Sequence, residues 1–360
     1  GGGDAAAVAA LDAAGFQACL DLCLEQLAES VCCAVALQNA LADLLEGPVD
    51  PAHVVSNAPQ RLRDATDSDA TEAREGCRQL CEGALKRVGR LVGARRDQNA
   101  RLALGDLRRV WASALAFAEA VERATGEPAL ALRSALVAQA RAFLEHRHRE
   151  AKAALVACLD SEKWGQVDVA PARQARVDAL ASGRALLEDA GDKADAAPPA
   201  PRSKKDLRPA AVNQRRFKCV WSACVALDRV LDALAAAAAF PVLATDVVAE
   251  VVDLLRLFDQ RTKQLVLFAG ALHSSARLRT ITAKHLGLAA QALGLVLALL
   301  PHIRAALRAT LPPKHASLLD EVDAVARGGR ADNVSKRPWL CDRLQEDDAR
   351  VPTPQKIYRK

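Results

Sequence analysis

Ten cysteines and seven histidines are the side chains best suited to hold a metal or to act as nucleophiles. Cys19 and Cys23 stand i,i+4, as do Cys77 and Cys81, and Cys32 and Cys33 are adjacent. None makes the C-x-x-C knuckle of a structural zinc site. They lie in apolar helical patterns with no secretory signal upstream, so they are expected to be reduced core residues. His146-Arg147-His148 is the most tempting histidine cluster. On a helix, positions i and i+2 point about 200° apart, so the two rings cannot share one ion. A metal pair needs i,i+4 spacing and further ligands. Both histidines are therefore read as solvent-facing on a basic helix. His273, His285, His302 and His315 are scattered without acidic partners at ligand spacing.

Other chemistries leave no trace either. The sequence has no G-x-x-x-x-G-K-[ST] phosphate loop, no strand-flanked G-x-G-x-x-G and no G-x-S-x-G elbow. No catalytic, cofactor-binding or metal-ligating residue is assigned. The chain is expected not to be an enzyme and to need no cofactor.

Long helices must carry whatever the chain does. Hydrophobic residues make up 51% and charged residues 26% of the 360, the balance of a folded protein. Aromatics are only 3%, so a core of Ala, Leu and Val is expected, which suits helix–helix packing better than a β-sandwich. Leu and Ala recur at three and four over Ala5 to Glu46, before the Gly47-Pro48 stop. Helical pattern returns over Thr71 to Arg95, Asp97 to Thr125 and Ala129 to Lys163, with Gly126-Glu127-Pro128 as punctuation. Later helices are predicted at Ala211 to Phe240, Thr245 to Leu272, Thr280 to Leu311 and Lys314 to Arg327. Thr245 reads as an N-cap, and Val247, Val251, Leu254, Phe258 and Leu265 form an inward stripe. Pro301 should kink or split its helix. No strand or hairpin signal stands out. Gly287 to Leu300 is charge-poor but shorter than the about 20 apolar residues of a membrane span, so it reads as a buried helix.

The fold class expected is all-α, as elongated helical bundles or a helical rod. A rod segment over residues 1–190 is followed by a disordered linker at 191–210, where Pro and charge replace apolar periodicity. A helical bundle follows at 211–327, then a polar, Pro-containing tail at 328–360. The chain contains no Met, so Gly1 is not a natural start and a piece of a longer protein is expected. Net charge is +5 with pI near 8.7, and the charges mix along the chain rather than clustering on one face as in a nucleic-acid binder.

Two stretches carry a resemblance. The first joins Phe143-Leu144-Glu145-His146-Arg147-His148-Arg149 to Asp160-Ser161-Glu162-Lys163-Trp164, Val167-Asp168-Val169 and Arg173-Gln174-Ala175-Arg176-Val177-Asp178. The second joins Gln264 to Leu272, Leu278 to Leu286, Pro301-His302-Ile303-Arg304 and Leu311-Pro312-Pro313-Lys314. In this order, over about Thr71 to Arg327, they resemble the vacuolar protein sorting-associated protein 54 family. That resemblance implies a helical, non-catalytic subunit of the Golgi-associated retrograde protein tethering complex. It implies capture of endosome-derived carriers at the trans-Golgi network, in the cytoplasm and peripheral on Golgi and endosome membranes. The other subunits are its implied partners, with SNARE fusion proteins and a small GTPase beside them, and no nucleic acid.

The motif residues are Phe143, Trp164, Asp168, Val169, Gln174, Leu265, Gly270, Thr280, Thr282, Lys284, Pro301, Arg304, Pro312, Pro313 and Lys314. They are read as structural. Gly270 lets two helices approach or ends one, Trp164 anchors a helix end, and Pro312-Pro313 sets a turn. After about Arg327 the likeness stops. A second reading is a stand-alone helical domain binding anionic lipid or nucleic acid through Arg95-Arg96, Lys204-Lys205 and Arg215-Arg216. Steep salt dependence would mark it.

Overall fold

Apolar residues at helical spacing fold as helices wherever they recur. The computed structural model describes residues 2–46, 59–184, 186, 207–267 and 282–325. It contains α1 (Gly2–Ala10), α2 (Ala13–Glu46), α3 (Pro59–Gly93), α4 (Arg96–Asn99), α5 (Leu104–Thr125), α6 (Leu130–Asp160) and α7 (Pro171–Ala181). A hairpin of β1 (Ala210–Val212) and β2 (Arg215–Phe217) follows, then α8 (Trp221–Ala239), α9 (Ala244–Leu267) and α10 (Ala283–Thr310). The fold is all-α, with this one small sheet among the described residues. The chain divides into two compact units, Gly1–Arg147 and His148–Lys360.

In the first unit, α2 packs along α3 and α5. Phe16, Leu20, Leu24, Val88, Val110, Phe117, Leu132 and Leu136 belong to one core. The single helix expected over Ala5 to Glu46 is broken at Leu11-Asp12, because the Asp12 carboxylate accepts the Gly15 N–H at 2.8 Å and caps a new helix. Gly126 ends α5 in the left-handed conformation, φ 72°, with its N–H on the Glu122 carbonyl at 2.8 Å. Buried Arg95 stacks on the Phe16 ring at 4.9 Å and donates to Asn99 Oδ1 and to the Leu11 carbonyl. Cys77 and Cys81 are core residues as expected. Cys32 and Cys33 are exposed instead, since they lie off the face of α2 that meets α3 and α5.

In the second unit, α8 is buried on almost every side. A short 3-10 turn at Pro241–Leu243 joins it to α9, and the chain bends there by 119°. Val247, Val251, Leu254 and Phe258 form the expected inward stripe, each at most 2% exposed. α10 packs on α8, on α9 and on the hairpin. By length and composition α10 could cross a membrane, so the shorter span read from Gly287 to Leu300 understates it, and 39% of its most apolar 18-residue stretch is buried.

Several boundaries differ from those expected. Residues 211–220 form the hairpin and an extended lead-in rather than the first turns of α8. Thr245 lies inside α9, whose start is set by the preceding 3-10 turn. Pro301 sits within an unbroken α10, on its exposed side, and leaves the Leu297 carbonyl without its helical donor. After α10 the chain makes a 3-10 helix at Pro313–Leu318 and turns α-helical only at 319–325. Residues 191–206 of the expected linker and the expected tail at 328–360 lie outside the described residues, whereas Arg208 to Ala210 belong to the hairpin and its base.

Candidate functional site

The first motif block converges on the hairpin and the start of α8. After α6 ends, Trp164 turns into the left-handed region, φ 50°, and its ring is buried. Glu162 holds this corner with both oxygens, accepting the Trp164 N–H at 3.1 Å and the Ser222 N–H at 2.7 Å. The second contact satisfies a free donor in the first turn of α8 and sets a carboxylate against its positive end.

The hairpin base is tied down next. Val167 N–H donates to the Cys219 carbonyl at 2.9 Å, and buried Val169 donates to the Arg208 carbonyl at 3.1 Å. Between them, Asp168 Oδ1 accepts the Arg208 N–H at 2.7 Å. Gln174, on α7, then meets the backbone of Ala211 with both ends of its amide. Its Nε2 donates to the Ala211 carbonyl at 2.8 Å and its Oε1 accepts the Ala211 N–H at 3.0 Å. The side chain thus acts as a one-residue strand against the outer edge of β1.

A buried ion network locks α7 onto α8. Arg173 binds the Asp228 carboxylate through Nε and Nη2 at 2.6 to 3.0 Å and lies 5.4 Å over the Trp221 ring. Arg176 reaches Asp232 at 2.6 Å, and Arg229 stands 3.7 Å from the same carboxylate. Burial opposes the charge of Arg173, but the Asp228 carboxylate outweighs it and raises the guanidinium pKa. Cys219 and Cys224, both buried, share a hydrogen bond. The Cys224 thiol stabilises the Cys219 thiolate and lowers its pKa, while its own is pushed up.

The remaining motif residues are spread elsewhere. Phe143 is a core residue of the first unit, with Arg147 5.8 Å over its ring. Thr282 caps α10 in a box with His285, and Lys284 is exposed in the first turn. Arg304 Nε lies 3.2 Å from Asp323 Oδ2, linking α10 to residues 319–325. Pro312 opens the 3-10 helix, accepting the His315 N–H at 2.9 Å, with Pro313 in its first position and Lys314 exposed. Gly270 and Thr280 lie outside the described residues, as does the side chain of Leu265.

His148 departs from its expected solvent-facing role. Its Nε2 stands 3.0 Å from Asp253 Oδ2, an oxygen shared with Lys152 at 2.7 Å. Burial opposes ionisation of Asp253, yet Lys152 and then His148 outweigh it and hold that carboxyl below its ordinary range. His146 is half-buried. Among the described residues, no group of three or more His, Cys, Asp or Glu is placed to hold a metal.

The resemblance does not single out Asp228 and Asp232. Their signal is two acidic residues at i,i+4 within a buried, mostly apolar helix whose one cation is Arg229. Such a pair must find buried cations. Arg173 and Arg176, on the adjoining motif, supply them.

A family model described as Vps54-like protein matches residues 214–332. Residues 214–332 are Vps54-like. Human vacuolar protein sorting-associated protein 54 is 32% identical over 246 residues, covering 66% of this chain and 24% of its own length. The rat protein of that name is 33% identical over 209 residues, 57% of this chain and 21% of its own. An Arabidopsis thaliana relative, vacuolar protein sorting-associated protein 54, chloroplastic, is 25% identical over 350 residues, 79% of this chain and 34% of its own. The chain thus spans roughly a fifth to a third of the length of these curated relatives. No solved structure matches it. The Vps54-like match opens at Gln214, inside the hairpin turn, so β1 and the whole clamp from Glu162 to Gln174 precede it.

Proposed function

We propose that this chain is a segment of a non-catalytic subunit of the Golgi-associated retrograde protein tether, serving transport from endosomes to the trans-Golgi network. The observation that carries this reading is the 32% identity over 246 residues to human vacuolar protein sorting-associated protein 54. The geometry is in keeping with it. Charged side chains of the first motif block pair with carboxylates of α8 and with backbone, as in Arg173–Asp228 and Arg176–Asp232. Such a unit works by presenting shaped surfaces. In this reading the protein is cytoplasmic and peripheral on Golgi and endosome membranes. Its partners are the other tether subunits, SNARE proteins and a small GTPase.

The test is complementation in cells lacking the native subunit, with the full-length protein carrying Val251→Asp. Val251 is fully buried on the α9 stripe, and an unpaired buried charge there costs several kcal/mol. Receptors that cycle from endosomes to the trans-Golgi network should be missorted, and exposed Arg308→Ala should rescue like wild type. Normal recycling with Val251→Asp, at normal abundance, would defeat the assignment of this region to transport.

A further inference from the structure

The hairpin has two edges, and they are treated differently. Asn213 and Gln214 make a two-residue turn with φ 48° and 68°. In such a turn the flanking pair, Val212 and Arg215, exchange their backbone bonds, and the next pair, Ala211 and Arg216, turn N–H and C=O outward. On β1 those outward groups are taken by the Gln174 amide. On β2 the equivalent N–H and C=O of Arg216 have no partner among the described residues.

Along the chain that makes this edge the charge is of one sign, and Asp168 at the hairpin base is taken up by the Arg208 N–H. From Leu207 to Leu227 the chain has Arg208, Arg215, Arg216 and Lys218, all exposed, and no acidic residue. The inner face of the hairpin lies on α10, which has no acidic residue either. The Phe217 ring sits 3.4 Å from where a Cβ on Gly294 would stand, and Asn213 meets His302 at 3.0 Å. The hairpin is thus held against α10, and its β2 edge is unpaired among the described residues.

We propose that the β2 edge at Arg216 takes an acidic peptide segment, added in extended form as a third strand. The one N–H and C=O pair fixes the direction of the incoming backbone, as Gln174 does on the opposite edge. Arg215, Arg216 and Lys218 supply the charge that selects acidic side chains. Lipid phosphates or nucleic acid would use the cations but have no use for a sideways-directed carbonyl, so a peptide fits both features.

The test uses the whole 360-residue chain. The probe is a fluorescein-labelled octapeptide of alternating Glu and Val, read by anisotropy. Its control is the same peptide N-methylated throughout, equal in charge but without N–H donors. The control should bind about tenfold more weakly, as should the parent peptide to Arg216→Pro, which removes the outward N–H together with one cation. Arg215→Ala with Lys218→Ala should also weaken binding and flatten its salt dependence. Circular dichroism checks the fold of each variant, and the N-methylated peptide decides the matter on the unaltered chain. Equal binding of the two peptides would show attraction by charge alone and overturn the proposal. So would capture of phosphatidylserine vesicles or oligothymidylate in place of the peptide, or no peptide binding up to about 1 mM.

Discussion

Glu122 shows how a single side chain ends one helix and starts the next. It grips Arg133 through both oxygens at 2.6 and 2.8 Å and accepts the Ala129 N–H at 2.8 Å. The Arg133 bonds and then the Ala129 N–H lower its carboxyl to about 2. Because that value lies below the ordinary range of about 4.3, the stability it gives is present above that range and is lost as pH falls toward the folded value. Thermal melts of the parent chain and of Glu122→Gln should differ most near neutrality and converge as pH falls from about 5 to 2.5. A difference that stayed constant through that range would show that the carboxylate charge contributes nothing. The turn residues Gly126-Glu127-Pro128 were visible in the sequence, but the closure by Glu122 was not. It joins residues 11 apart, and local periodicity does not report such pairs.

At the level of elements, the ion pair between α7 and α8 is the most exposed to a single substitution. Asp228→Ala would leave the Arg173 guanidinium in a buried place with no carboxylate. Breaking one side of such a pair costs about 3–5 kcal/mol. The denaturant midpoint should fall accordingly with little change in slope, while exposed Glu119→Ala should change it little. Loss of under about 1 kcal/mol in Asp228→Ala would mean that water replaces the carboxylate. The helices were legible because their apolar stripes are long; Val247, Val251, Leu254 and Phe258 were placed from spacing alone and are buried together. The hairpin was not legible. Its turn reads Asn-Gln where Asn-Gly is the usual signal, although both residues take positive φ. Its strands are three residues each and one of them reads Arg-Arg-Phe, which has no apolar alternation. Gln174 and Asp168 were singled out by resemblance, yet their contacts with Ala211 and Arg208 depend on the tertiary fold. Thr245 misled for a related reason, since a Pro-initiated 3-10 turn had already begun the chain's rotation into α9.

For the whole molecule, the contacts that hold α8 reach beyond the segment a family model recognises. The match at 214–332 holds β2, α8, α9 and α10 but not α6, α7 or β1. A fragment of those residues alone would expose the side of α8 that carries Asp228 and Asp232, both buried in the whole chain. It would also lose Glu162 at the start of α8, and Arg173 and Arg176 opposite Asp228 and Asp232. What remains keeps its helical periodicity, and periodicity is enough for helix but not for fixed packing. The fragment 214–332 is therefore expected to be helical by far-ultraviolet circular dichroism, to bind a hydrophobic dye and to melt without a cooperative transition. The fragment 148–332 restores the clamp, β1 and the end of α6, and should melt cooperatively with little dye binding. Restoring α7 without its charges, as 148–332 carrying Arg173→Met and Arg176→Met, separates apolar burial from ion pairing. If apolar burial alone sufficed, that variant would melt as sharply as 148–332 itself; the buried carboxylates of Asp228 and Asp232 predict that it will not. A cooperative melt of 214–332 at the temperature of 148–332 would show instead that the clamp is dispensable, and that the motif from Glu162 to Gln174 is kept for something other than stability.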